Sequence, residues 1–80
     1  MKKADMLQAI KNDCDYYIKE GIKWNSTEYK ERYQCAKQIS GEMLQRALGI
    51  ASVLYTIGLH TSEENDIYRA GLIDSYCDSI

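Results

Sequence analysis

The run YKERYQCAKQISGEMLQRALGIASVLYTI, residues 29–57, decides the architecture. Its positions Tyr29, Tyr33, Ala36, Ser40, Met43, Ala47, Ile50, Leu54 and Ile57 alternate spacings of four and three without a break, the repeat of a helix packed along one seam. Ile39, Leu44, Leu48, Ala51 and Val53 widen the apolar face in the second half, so the helix must be covered on more than one side. Just before this run, Trp24-Asn25-Ser26-Thr27-Glu28-Tyr29 reads as a helix start. Asn25 caps, Glu28 reaches back, and Trp24 staples onto Tyr29. Just after it, Gly58 and Leu59 read as a Schellman stop, with Leu59 placed to meet Leu54. The central helix is therefore expected over residues 26–57.

Two shorter helices flank it. The first is expected over residues 3–20, with an apolar stripe of Leu7, Ile10, Cys14, Tyr17 and Ile18 and a stop at Gly21. The second is expected over 62–78, opened by a capping box from Thr61 to Glu64, with acids where the helix dipole favours them. It uses Ile67, Ala70, Gly71, Leu72, Ile73, Tyr76 and Cys77. The fold class is all-α, with a long central helix and two antiparallel shorter ones in one domain, residues 1–80. At about 1.5 Å per residue the central helix would be about 48 Å long, roughly the two short helices end to end. Each short helix is then expected to cover one half of it, leaving one side bare.

Such a flat chain buries too little apolar surface to offset its conformational entropy, so a homodimer is expected. Its seam would comprise Tyr29, Tyr33, Ala36, Met43, Ala47, Ile50 and Leu54, with Gly41 and Gly49 keeping the helix slim, and Ile50→Asp is expected to dissociate or unfold it. The alternative is a break at Ser40-Gly41 that folds the chain into a compact four-helix monomer.

Composition supports helices. The 80 residues contain no proline and five glycines, and 45% are hydrophobic against 28% charged, which places the chain among folded domains. Seven Tyr and one Trp with no Phe give almost every aromatic ring a polar handle, suited to half-exposed surfaces. The three cysteines, Cys14, Cys35 and Cys77, are odd in number and form no C-x-x-C pair, so they are read as free thiols of the helix cores. A Cys3His zinc site with His60 lacks close paired ligands. The amino end has no apolar signal core, and the mostly apolar stretch Ala47 to Leu59 is too short to span a bilayer, so a reducing cytoplasm is expected.

Several functions are argued against. Residues 53–62 resemble the turn of a helix-turn-helix, but the would-be recognition helix, Ser62 to Asp78, carries five acids against Arg69 alone, and phosphates repel such a face. No phosphate-binding glycine loop is present. His60 has no nucleophile motif beside it and reads as a solvated turn residue, and the acidic pairs read as caps and solvated faces rather than a di-iron set. The chain is not expected to be an enzyme, and no cofactor or metal is assigned.

Charge is uneven along the chain. Residues 1–40 carry eight Lys or Arg against six acids, whereas residues 41–80 carry two against six. Lys19, Lys23, Trp24, Lys30, Tyr33 and Lys37 gather around the first loop and the start of the central helix, where rings beside cations suit an anionic partner or nucleotide. The acidic carboxyl half could face a basic groove on another protein. In size, in its helices, and in the stop Leu54-Tyr55-Thr56-Ile57-Gly58-Leu59 followed by Thr61-Ser62-Glu63-Glu64, the chain resembles short accessory proteins of bacterial phages and prophages. The resemblance, mainly over residues 43–70, implies binding rather than catalysis: a repressor partner, an inhibitor of a host defence enzyme, or a sponge for a signalling nucleotide.

Overall fold

The computed structural model describes residues 2–79, and every regular element among them is a helix: α1, Lys3–Trp24; α2, Thr27–Arg32; α3, Ala36–Thr56; and α4, Ser62–Asp78. The ends of α3 and α4 form as their local sequences dictate. Gly58 takes φ +80°, the left-handed value that favours glycine. Gly58 N–H donates to the Tyr55 carbonyl at 3.1 Å and Leu59 N–H to the Leu54 carbonyl at 2.8 Å, the two bonds of a Schellman stop. At the start of α4, Thr61 N–H donates to Glu64 Oε1 at 2.8 Å while Glu64 N–H donates to Thr61 Oγ1 at 3.1 Å. These bonds hold the Glu64 carboxyl below its ordinary range.

The amino half departs from expectation in three places. The first helix passes through Gly21 and ends at Trp24. Gly21 is buried, and a Cβ on it would lie 3.2 Å from Tyr76 Cε2 and 3.3 Å from the Ser40 carbonyl oxygen. This glycine makes room for packing rather than a stop. Ser26, not Asn25, caps α2, its hydroxyl accepting from Tyr29 N–H at 3.3 Å. The expected contact of Trp24 with Tyr29 is present, ring centroids 5.0 Å apart.

The helix expected over 26–57 is broken, at Tyr33–Cys35 rather than at Ser40-Gly41, and Tyr33 is extended with φ −124° and ψ 121°. The cause is register. α1 and α3 run antiparallel with Gly21 opposite Ser40 and Cys14 opposite Ala47. An unbroken hairpin turning at Asn25-Ser26 would put Lys30 opposite Gly21, so Thr27 to Cys35 must be folded aside before α3 begins. The layout changes with it. α1 and α4 do not cover separate halves of a long helix; both lie against α3, around one core of Cys14, Ile18, Ala47, Leu48, Ala51 and Leu72. Tyr17, Ile22, Leu44, Ile50, Tyr68 and Tyr76 pack around that core half-buried. The described body measures 43 × 24 × 16 Å, and no helix in it is long and apolar enough to cross a membrane.

One polar junction joins all three long helices. The Ser40 hydroxyl, fully buried, donates to the Gly21 carbonyl at 2.5 Å. Its single proton is then used, so the Tyr76 hydroxyl, 2.7 Å away, donates to Ser40 Oγ. Gly21 is what lets the Ser40 carbonyl and the Tyr76 ring come this close to α1.

Two glycine replacements should therefore act in opposite directions. Gly21→Ala is expected to lower unfolding stability by about 1–3 kcal/mol through overpacking. Gly71→Ala, where an added Cβ meets nothing within 4 Å, should raise it by about 0.5–1 kcal/mol. Urea denaturation of both variants tests this, and a Gly21→Ala protein at least as stable as the parent would contradict the packing described.

Candidate functional site

The α1–α2 turn and the bend after α2 bring three aromatic rings together at one end of the molecule. Trp24 meets Tyr29 edge-on at 5.0 Å and Tyr33 at 5.3 Å, and the two tyrosines lie 5.7 Å apart. Trp24 and Tyr29 are half-buried, while Tyr33 is 41% exposed. Lys23 Nζ lies 5.7 Å from the Tyr29 ring centre and 2.9 Å from Glu20, whose hydrogen bond raises the lysine pKa. Arg32 pairs with Glu28 at 3.0 Å, both exposed, so the pair adds at most about 1 kcal/mol. Arg32, Tyr33, Gln34, Cys35 and Gln38 line an open hollow of about 490 Å³.

Of the residues expected to bind a partner, Lys23, Trp24 and Tyr33 are thus gathered at this corner. Lys30 is exposed on α2, Lys37 on the first turn of α3, and Lys19 on α1. Among the described residues none of these three forms an ion pair. Cations beside accessible rings suit an anionic, planar or acidic partner.

The residues expected to form a dimer seam are distributed differently. Ala36, Ala47 and Leu54 are fully enclosed by the chain's own helices and have no surface left for a second copy in this conformation. Met43, Ile50 and Tyr29 are half-buried, and Tyr33 belongs to the aromatic corner. Because Ile50 packs on the core, Ile50→Asp perturbs the single chain as well as any dimer. Val53, Ile57, Ile67 and Ile73 remain exposed, so α4 contributes one buried hydrophobic side chain, Leu72.

A second cluster, invisible in the sequence because its members are far apart along the chain, lies between α1 and α4. Cys14 is fully buried and its thiol donates to the Ala47 carbonyl at 3.5 Å. Burial, then the nearby Cys14, pushes the Tyr68 phenol far up, and its hydroxyl is buried without a hydrogen-bond partner among the described residues. Burial likewise raises the Cys14 thiol. A thiol held protonated is a poor nucleophile, so Cys14 is packing here. Lys11 Nζ lies 4.9 Å from the Tyr68 ring centre. His60 lies 3.3 Å from Asn65 Oδ1 and edge-on to Tyr68, so it is tied to the start of α4 rather than freely solvated. Cys35 and Cys77 are exposed, which corrects their placement in the core; all three cysteines are free. Among the described residues no three His, Cys, Asp or Glu side chains come together as a metal group.

No family model, no curated protein and no solved structure matches the chain.

The raised Cys14 and Tyr68 pKa values set an alkaline limit. Each group holds its proton more tightly folded than unfolded, so its contribution is intact below the unfolded value and is lost as pH rises above it. For Cys14 that loss begins above 9.0, and for Tyr68 above 10.0. Urea midpoints should fall with rising pH from about 9, and Cys14→Ala should flatten the first part of the fall relative to its own neutral-pH value. An unchanged slope in that variant would contradict the assignment.

Proposed function

We propose that this chain is a non-enzymatic interaction protein that works as a homodimer and binds another macromolecule, inhibiting or adapting it. The observation that carries this reading is the Trp24–Tyr29–Tyr33 corner at the α1–α2 turn and the bend after α2, where Lys23 lies near the Tyr29 ring and Arg32 shares a hollow with Tyr33. Aromatic and basic side chains of this kind dominate binding energy at protein interfaces. The hollows on the described surface are open ones, better matched to a docking partner than to an engulfed substrate. The phage-type resemblance makes a host macromolecule, such as a defence protein, the class of partner to try first. A reducing, cytoplasmic setting fits the exposed thiols of Cys35 and Cys77.

A second reading takes the same corner as a trap for a small phosphorylated molecule or nucleotide. The hollow of Arg32, Tyr33 and Gln38 favours it, offering a ring and a guanidinium on one rim.

Photocrosslinking from a reactive group at position 33, compared with one at Ser75 on α4, separates these readings. A macromolecular adduct at 33 alone supports the first. With that partner in hand, Trp24→Ala should weaken binding by about 2 kcal/mol and Lys30→Ala by about 0.5 kcal/mol, both with unchanged helicity. Equal crosslinking at both positions would overturn the reading, and a small co-purifying anion seen by native mass spectrometry would favour the trap.

A further inference from the structure

The outward side of α3, up to its border with Tyr17 of α1, carries two open hollows that meet at Arg46. Gly41 lies in one, of about 680 Å³. Gly49 lies in the other, about 330 Å³ and walled by Tyr17, Ile50 and Val53. A helix interior disfavours glycine, so each needs a reason. Gly21 has one inside the chain. Gly41 and Gly49 do not, since a Cβ on either meets nothing within 4 Å; the same is true of Gly71, but only Gly41 and Gly49 line these hollows. The room they leave faces outward. Nearby hydroxyls are already satisfied, Ser52 donating to the Leu48 carbonyl at 3.1 Å and Thr56 to the Ser52 carbonyl at 3.2 Å. The face can therefore be dried without stranding those protons. Val53 and Ile57, 42% and 48% exposed, extend it with apolar surface.

Charge points to the occupant. Glu42 and Arg46 sit one turn apart on α3; Glu42 accepts from Gln38 Nε2 at 3.4 Å and the Arg46 guanidinium lies 5.9 Å from the Tyr17 ring centre, but among the described residues neither forms an ion pair. An antiparallel copy of α3, related by a two-fold axis beside Leu44, would set each Glu42 opposite the other's Arg46, twice over, which is the self-complementarity a two-fold interface requires. The same operation brings each Gly41 to within two residues, about 3 Å along the axis, of the other's Gly49. We propose that a second copy of this chain docks on the outward face of α3 in this manner, the Gly41 and Gly49 hollows admitting close helix approach and the Glu42–Arg46 pairs fixing its direction. A stable dimer needs about 800 Å² from each partner, so the footprint extends past α3 onto Tyr17 of α1. This placement rests on the homodimer reading, and its Gly41 hollow adjoins the hollow at the aromatic corner through Gln38, which lines both.

Sedimentation equilibrium of the full chain, from low to high micromolar, tests it against three variants checked for unchanged helicity. Gly49→Leu fills an open position of a helix, so it should fold yet weaken dimerisation by about tenfold or more. Glu42→Arg should weaken it about tenfold by setting like charges together, and adding Arg46→Glu should restore dimerisation to within about threefold of the parent. A parent that stays monomeric at the highest concentration overturns both the homodimer and this interface. A dimer with the parent's affinity in Gly49→Leu and in Glu42→Arg overturns the interface alone and leaves the homodimer standing.

Discussion

The Ser40 hydroxyl is the hinge on which this arrangement turns. It donates to the Gly21 carbonyl on α1 and accepts from Tyr76 on α4, so one side chain of α3 sets the spacing of all three long helices. Burying a hydroxyl is costly unless both its proton and a lone pair are used, and this geometry uses both. The requirement is positional. Ser40 reaches Gly21 only in one register of α1 against α3, and the same register aligns Cys14 with Ala47 further along. A slip by one turn would leave a serine hydroxyl and a tyrosine hydroxyl stranded in a core made largely of alanine, leucine and a thiol. The buried polar contact thus selects an arrangement that interchangeable apolar contacts would specify loosely.

From that register the rest follows in order. Because α1 must meet α3 at Ser40, the residues between Trp24 and Ala36 are longer than a tight turn needs. They fold into α2 and the extended Tyr33 instead of extending α3. Folding them aside gathers Trp24, Tyr29 and Tyr33 into one corner. The candidate binding surface is in this sense a by-product of helix registry. The opposite consequence appears on α3, where small residues facing α1 and α4 are consumed in close packing and those facing outward are left with open space.

What could be read from the residues alone divides along the same line. Features set by neighbours in sequence were legible: the Gly58 stop, the Thr61–Glu64 box and the Trp24–Tyr29 contact each depend on a few consecutive positions. The break at Tyr33–Cys35 was not, because no glycine or proline marks it and its cause lies in α1. Gly21 was misread for a related reason. Its flanking pattern matches a helix stop, and only the Tyr76 ring packed against it reveals its use. Of the periodic stripe, Ala36, Ser40, Ala47 and Leu54 are buried while Tyr33 and Ile57 are exposed, and periodicity assigns Ala36, Ala47 and Leu54 to a second copy. Spacing says which face is covered but not by whom, and here the cover is α1 and α4. The aromatic corner was half visible, since Lys23, Trp24 and Tyr33 are close in sequence. The Cys14–Tyr68 contact joins distant segments and left no local sign.

The most direct test of the junction is a double-mutant cycle on Ser40→Ala and Tyr76→Phe, read by urea denaturation at neutral pH. If the hydroxyls act as one unit across the three helices, the double variant should lose less stability than the two single losses combined, with a coupling of about 1 kcal/mol or more. Single losses that simply add, or a Ser40→Ala variant as stable as the parent, would show that apolar packing alone sets the register and would contradict this account.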